Sequence, residues 1–273
     1  MTDSIVVRRV RIPLSAETPR YWFDGDPYMT HFMNALSSTF PEGEAFFVRS
    51  VQHFRDHARG PEQREEIRRF AQQEGLHGRQ HDGHVGLLEK QGYPWLLRMN
   101  ELAAREMRWM NRHMPVYSLA TTAALEHLTA VLARQILAFP ERWVEPMSPD
   151  MAPLWRWHAI EEAEHKSVAF DVLADVSGSY PLRVVAGALA TLGLALDNTI
   201  RLAYLLSRDG LFWRPSLWWR GLRRVFAPGP ARRQMLRDYF AWYRRDFHPS
   251  QIDDRPLIEE AALELRQAGF ITA

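Results

Sequence analysis

Apolar residues recur three and four positions apart over most of the chain, with polar residues between them. That period predicts amphipathic helices. No window alternates apolar and polar residues for long enough to form a sheet. Gly and Pro fall mostly at joints. Residues 1–40 read as an irregular arm with one short extended piece near Val6. A first helix is predicted after Pro41, through EGEAFFVRSVQHFRDHA. Gly60 and Pro61 separate it from a second, which runs from about Glu62 to Lys90 and stops at Gly92 and Pro94. A third covers Trp95 to Arg112. Pro115 and Ser118 open the next, through LATTAALEHLTAVLARQIL, and Pro140 ends it. Asp150 and Pro153 open another, through LWRWHAIEEAEHKSVAFDVLADV, ended by Gly178 and Pro181.

After Pro181 the pattern changes. LRVVAGALATLGLALDNTIRLAYLL is strongly apolar, and GLFWRPSLWWRGLRRVFAPGPARR mixes Trp with Arg. The longest uncharged stretch, Val184 to Leu196, has 13 residues, short of the ~20 that span a bilayer. The basic segment 201–245 has two readings. It lies against a membrane surface as a peripheral contact, or it packs on the bundle as a hairpin whose Arg stems cover Trp faces. The chain therefore divides into an arm (1–40), a helical bundle (41–178), and an apolar and basic hairpin with C-terminal helices (179–273). All belong to one domain of all-α class.

Composition narrows the chemistry. The 273 residues contain no Cys. Disulfides, thiolate metal sites, iron–sulfur clusters and cysteine nucleophiles are excluded. Any bound metal must use His, Asp, Glu or water. The net charge of +1 provides no field for nucleic acid. The opening MTDSIVVRRVRIPL does not read as a signal peptide, so the expected location is cytoplasmic, with peripheral membrane contact left open.

Four helices carry candidate ligands: Glu44 in GEAFF, Glu74 and His77 in QEGLHGRQH, Glu126 in LEHLTA, and Glu162 and His165 in WHAIEEAEHKSV. Residues three apart on a helix project to one side. The pattern is Glu, Glu-x-x-His, Glu, Glu-x-x-His, which is the set a bundle core needs to hold two metals. Four carboxylates neutralise two divalent cations, and burying them together without cations is costly. Glu126 is the most telling, because its surroundings are nearly uncharged and an unpaired buried Glu is rare. His158 shares a helix face with Glu162 and His165 and is read as an added imidazole ligand, against the alternative of a core histidine bonded to a carbonyl. His81 lies four residues past His77 on the same stripe. It is read as a metal ligand or as a catalytic group that moves a proton beside the metals. His84, further out, is expected at the surface. Glu161 and Glu164 are expected to face solvent, and His127 to be structural.

At these residues the chain resembles the ferritin-like di-iron carboxylate proteins. His158 adds a His-x3-Glu-x2-His arrangement similar to that of the arylamine N-oxygenases of that superfamily. Gln73 and Leu76 stand where the common second motif has Asp and Arg, which bears on the network around the ligands and not on the ligands themselves. HFMNALSSTFPEGEAFFVRSV, QEGLHGRQH, WHAIEEAEHKSVAFDV and DFHPSQIDDRPLI look like a bacterial family labelled predicted metal-dependent hydrolase.

The resemblance implies a ferritin-like four-helix bundle with a dinuclear core. The first functional expectation is an oxidoreductase that activates dioxygen to oxidise an apolar or aromatic small molecule. Its cofactors would be two metal ions, Fe/Fe first, then Fe/Mn, Mn or Zn, with an electron donor as partner. The alternative is hydrolysis by a metal pair that clamps a phosphate or acyl group. A third reading is a metal store or membrane-associated binding protein without catalysis. The oligomeric state is not legible.

Overall fold

Proline opens most of the helices, because its missing N–H is one that a first turn leaves unpaired in any case. In the computed structural model, which describes residues 5–272, the helices are α1 (Pro27–His53), α2 (Pro61–Lys90), α3 (Trp95–His113), α4 (Pro115–Ala138), α5 (Pro140–Trp143), α6 (Ala152–His165), α7 (Val168–Val176), α8 (Tyr180–Arg208), α9 (Pro215–Val225), α10 (Pro230–Ala241) and α11 (Arg255–Gln267). The all-α class holds. The one sheet among the described residues is a two-residue clip in which β1 (Arg9–Val10) pairs antiparallel with β2 (Ile271–Thr272).

α1 packs on α2 and α4 on α6, and contacts of α1 with α4 and of α2 with α6 close the four into a bundle. Two apolar clusters fill it. One gathers Met33, Leu88, Ile136 and Trp155. The other gathers Phe46, Phe70, Leu119 and Ala169. On α1, α2 and α4 the predicted ligands Glu44, Glu74, His77 and Glu126 lie between the residues of the two clusters, so these polar groups occupy the middle of the bundle.

Two helix boundaries differ from expectation. α1 begins at Pro27, not after Pro41, so much of the supposed arm is helical. Asp26 caps it by accepting from the N–H groups of Tyr28 and Met29. Pro41 sits inside the helix, where it removes one backbone hydrogen bond. Just before it, the hydroxyls of Ser38 and Thr39 donate to the carbonyls of Ala35 and Leu36. Such bonds favour a bend, which accommodates the proline ring. The second difference is a break at Lys166 and Ser167 that splits the predicted helix into α6 and α7. Lys166 Nζ is tied there to the Ile252 carbonyl and to Asp254 Oδ2, each at 2.5 Å.

α8 packs on α1 and α4. Gly187 lets Trp242, at the end of α10, lie directly against α8, since a Cβ there would stand 2.3 Å from Trp242 Nε1. The outer face of α8 remains open: Leu189, Leu192 and Leu196 are 51%, 66% and 62% exposed. α4 and α8 are each long and apolar enough to cross a membrane by length and composition. The 13-residue measure of the uncharged stretch thus understated α8, which keeps its apolar character past Asp197. α4 is largely buried within the bundle, whereas α8 is not. The Trp/Arg segment packs against α1: Trp218 meets the edge of Tyr28, and Arg224 pairs with Asp26 and lies over the ring of Phe23. Trp213 and Trp219 of the same segment stay exposed.

Candidate metal centre

Glu44, Glu74, His77, His81, Glu126, His158, Glu162 and His165 are all buried at the middle of the bundle. α1 supplies Glu44, α2 supplies Glu74, His77 and His81, α4 supplies Glu126, and α6 supplies His158, Glu162 and His165. Spacings of three and four residues place the α2 and α6 groups on inward faces.

Two groups of ligand atoms result. In the first, Glu74, His77, Glu162 and His165 each offer an atom within 4.8 Å of the others. Glu44, His81 and His158 form the second on the same criterion. Glu162 joins them: its Oε1 lies 3.5 Å from His77 Nδ1, 3.7 Å from His165 Nε2 and 3.3 Å from His158 Nε2. Glu126 falls in neither group, but its Oε2 lies 2.9 Å from His165 Nδ1. That pair lacks the alignment of a hydrogen bond, and both atoms are without a hydrogen-bond partner. The other nitrogen of that ring, Nε2, faces Glu74 Oε1 at 3.1 Å, so Glu126 stands on the far nitrogen of His165.

The donor set fits divalent cations on a second count. Both carboxylate oxygens of Glu44, Glu74 and Glu126 are buried without a hydrogen-bond partner, as is Nδ1 of His77. Orphaned polar atoms are rare in protein interiors, and here they converge. Burial, together with the neighbouring carboxylates, pushes Glu74 well above the usual carboxylate range. Burial does the same to Glu44, against the opposing charge of His77. Burial likewise pushes Glu126 up to about 7. Burial also favours a raised value at Glu162, but the imidazoles of His165 and His158 outweigh it and hold that carboxyl low. Burial pulls His77 down, yet its hydrogen bond with Glu161 and the nearby Glu162 carboxylate prevail and lift it to about 10. Burial and His77 push His158 down to about 3. Four carboxylates crowded together repel one another, and bound cations reverse that balance.

The residues around the ligands correct three expectations. Glu161 does not face solvent. It is fully buried, and its Oε2 lies 3.1 Å from His77 Nε2. A carboxylate on the outer nitrogen fixes the ring and frees Nδ1 toward the interior. Glu164 is also turned inward, bonded to Arg8 Nη1 at 2.8 Å and to Gln73 Nε2 at 3.0 Å. Gln73, a departure from the common motif, thus enters a network with the arm, and Leu76 packs against the apolar cluster. Arg8 supplies the compensating charge. Its backbone N–H donates to Glu161 Oε1 at 3.3 Å, and its guanidinium stands 3.7 Å from the same oxygen. The one trace of this in the sequence is Arg8 itself, a cation inside an apolar stretch. His84 is the third correction: it is buried, not at the surface.

His81 and His84 share Ser37. Its Oγ lies 2.7 Å from Nδ1 of both. One hydroxyl proton cannot serve two acceptors, so at least one of the two imidazoles donates to Ser37. His81 Nε2 lies 3.0 Å from His158 Nδ1. Burial and the charge of His158 push His81 well below its usual value, and burial pushes His84 down to about 4. Phe40 covers this side, its ring stacked on His158 at 4.6 Å and edge-on to His81 at 4.7 Å. His127 is structural as expected, stacked on Trp242 at 5.3 Å.

An all-α bundle whose core gathers carboxylates and imidazoles into two adjoining ligand groups is a helical metal-binding protein. The chain belongs to the family described as predicted metal-dependent hydrolase, whose profile matches residues 6–253. No curated protein and no solved structure matches it. Membership favours hydrolysis and gives no support to the oxygen-activating expectation.

Proposed function

We propose that the protein is a hydrolase working through two divalent metal ions in the middle of the bundle. The observation that carries this is the convergence of unpartnered ligand atoms from α1, α2, α4 and α6 on one buried point. Glu44, His81 and His158 would hold one cation, and Glu74, His77, Glu126, Glu162 and His165 the other. A metal pair lowers the pKa of a water and polarises an acyl or phosphoryl group. The protein's own groups do the rest. Glu161 keeps the His77 proton on Nε2. If His81 ligates through Nε2, its Nδ1–H donates to Ser37 and the Ser37 hydroxyl donates to His84 Nδ1. That order holds one proton on each group and offers a route for moving it away from the site. Phe40 and the surrounding apolar side chains exclude bulk water.

A second reading keeps the same ligands and makes the metals redox-active. The mixed set of Glu oxygens and His nitrogens on a four-helix bundle supports it. One experiment decides. Metal content is measured on aerobically purified protein, followed by turnover of p-nitrophenyl esters and bis-p-nitrophenyl phosphate, and by dioxygen uptake with a reductant. The hydrolytic reading expects two metals per chain, turnover of an ester or phosphodiester, and loss of turnover with a chelator. Dioxygen uptake without hydrolysis overturns it. Glu126→Ala is expected to lose one metal with helical content retained, and retention of both removes Glu126 from the ligand set.

A further inference from the structure

A cavity of about 340 Å³ lies between α1, α3, α4 and α8. Sites for small molecules span ~300–1,000 Å³. Its walls include Phe47, Met107, Met110, Leu125, Leu189 and Leu194. The buried cation at its edge, Arg201, is already engaged, with Nε 2.7 Å from Asp197 Oδ2 and Nη1 2.7 Å from Asn100 Oδ1. The lining therefore favours an apolar ligand over an anion.

Two relationships tie this cavity to the metal-ligating groups. Phe40 lines it while stacking on His158 and meeting His81, so one ring divides the two spaces. Gly43, adjacent to Glu44, lines it as well. At the other end, Leu189 both lines the cavity and is half exposed. The cavity thus opens on the outer face of α8, beside Leu192 and Leu196, where no charge occurs between Val184 and Leu196.

We propose that this cavity binds the alkyl chain of an amphiphile, with its hydrolysable group directed toward Phe40 and its chain running out past Leu189. The substrate class is then a long-chain acyl ester. Hydrolysis breaks its acyl C–O bond: the water oxygen joins the acyl carbon and the alcohol leaves with a proton. That step rests on the hydrolytic reading, whereas binding of the chain does not. Exposed apolar side chains on α8 match an aliphatic guest, and displacing water from such a lining is favourable.

The test uses cis-parinaric acid, a fatty acid that brightens in apolar surroundings, with the full-length protein as purified. A Cβ at Gly193 meets no atom within 4 Å, so Gly193→Phe places a ring at the cavity wall without backbone strain. Gly83 on α2 is equally open but lies away from the cavity, and Gly83→Phe is the control. Wild type is expected to bind the probe saturably. Gly193→Phe is expected to weaken binding by about tenfold or more, equivalent to ~1.4 kcal/mol, with Gly83→Phe unchanged. Ala103→Phe, from the α3 wall, gives a second block should the first variant not fold. Non-saturable binding by wild type, or wild-type affinity in a folded Gly193→Phe or Ala103→Phe variant, overturns the proposal. Saturable, blockable binding with no ester turnover defeats the hydrolytic reading and leaves the cavity assignment standing.

Discussion

The Oγ of Ser37 lies 2.7 Å from Nδ1 of His81, and the same oxygen serves His84 at the same distance. Ser37→Ala strips both imidazoles of the hydroxyl that partners that nitrogen. Leaving a buried polar group unsatisfied costs ~1–3 kcal/mol. The expected result is a lower Tm and reduced occupancy of one metal position, because the His81 ring loses the bond that orients it. Metal analysis before and after dialysis checks this. Ser37→Thr, which restores a hydroxyl, is expected to recover part of the metal. Full metal retention by the alanine variant would separate His81 from the ligand set.

Arg8 reaches from the arm to Glu161 and Glu164, with side chains 6%, 0% and 7% exposed. Removing one member of a buried ion pair costs about 3–5 kcal/mol, because the other charge is left stranded. Arg8→Ala is therefore expected to destabilise by about that amount in chemical denaturation. The double variant Arg8→Met with Glu164→Gln is expected to recover part of the loss. A change below about 1 kcal/mol for Arg8→Ala, the range of surface pairs, would place this brace among them.

Asp209 governs acid stability at the opposite end of the bundle. Burial alone would raise its carboxyl. Hydrogen bonds from His31 Nε2, Tyr21 Oη and Tyr93 Oη, each 2.8 Å long, outweigh burial and hold it well below the usual aspartate range. A carboxyl depressed by folding stabilises fully above its unfolded value of ~3.9, and that contribution is lost as pH falls through the folded value. Asp209→Asn is thus expected to lower Tm at pH 7. The difference from wild type should shrink as the pH drops below about 4. A constant difference down to pH 3 would show that the carboxylate charge is not what these groups hold.

The candidate ligands are legible because a spacing of three residues on a helix is a local property. Glu44, Glu74, His77, Glu126, His158, Glu162 and His165 meet without any knowledge of loops. What surrounds them was not legible. Glu161 reads as a solvent residue on α6 until Arg8 arrives from 153 positions away. His84 reads as surface until Ser37 is known to lie in a helix, and Pro41 disguised that helix as an arm. Proline marks a first turn far more often than an interior. α1 is an exception, sustained by packing on α2, α4 and α8 along its length. The wrong boundary and the misplaced histidine thus have one cause.

The two-stranded clip has a bearing on how the protein is made. Arg8 precedes Arg9, and Arg9 and Val10 are held by Thr272 and Ile271. The segment bracing Glu161 is therefore fastened by residues that follow every one of the bundle helices in the chain. During translation all four ligand helices are finished long before that fastening can close. The newborn bundle must wait for Ile271 and Thr272 before the outer support of His77 is fastened in place.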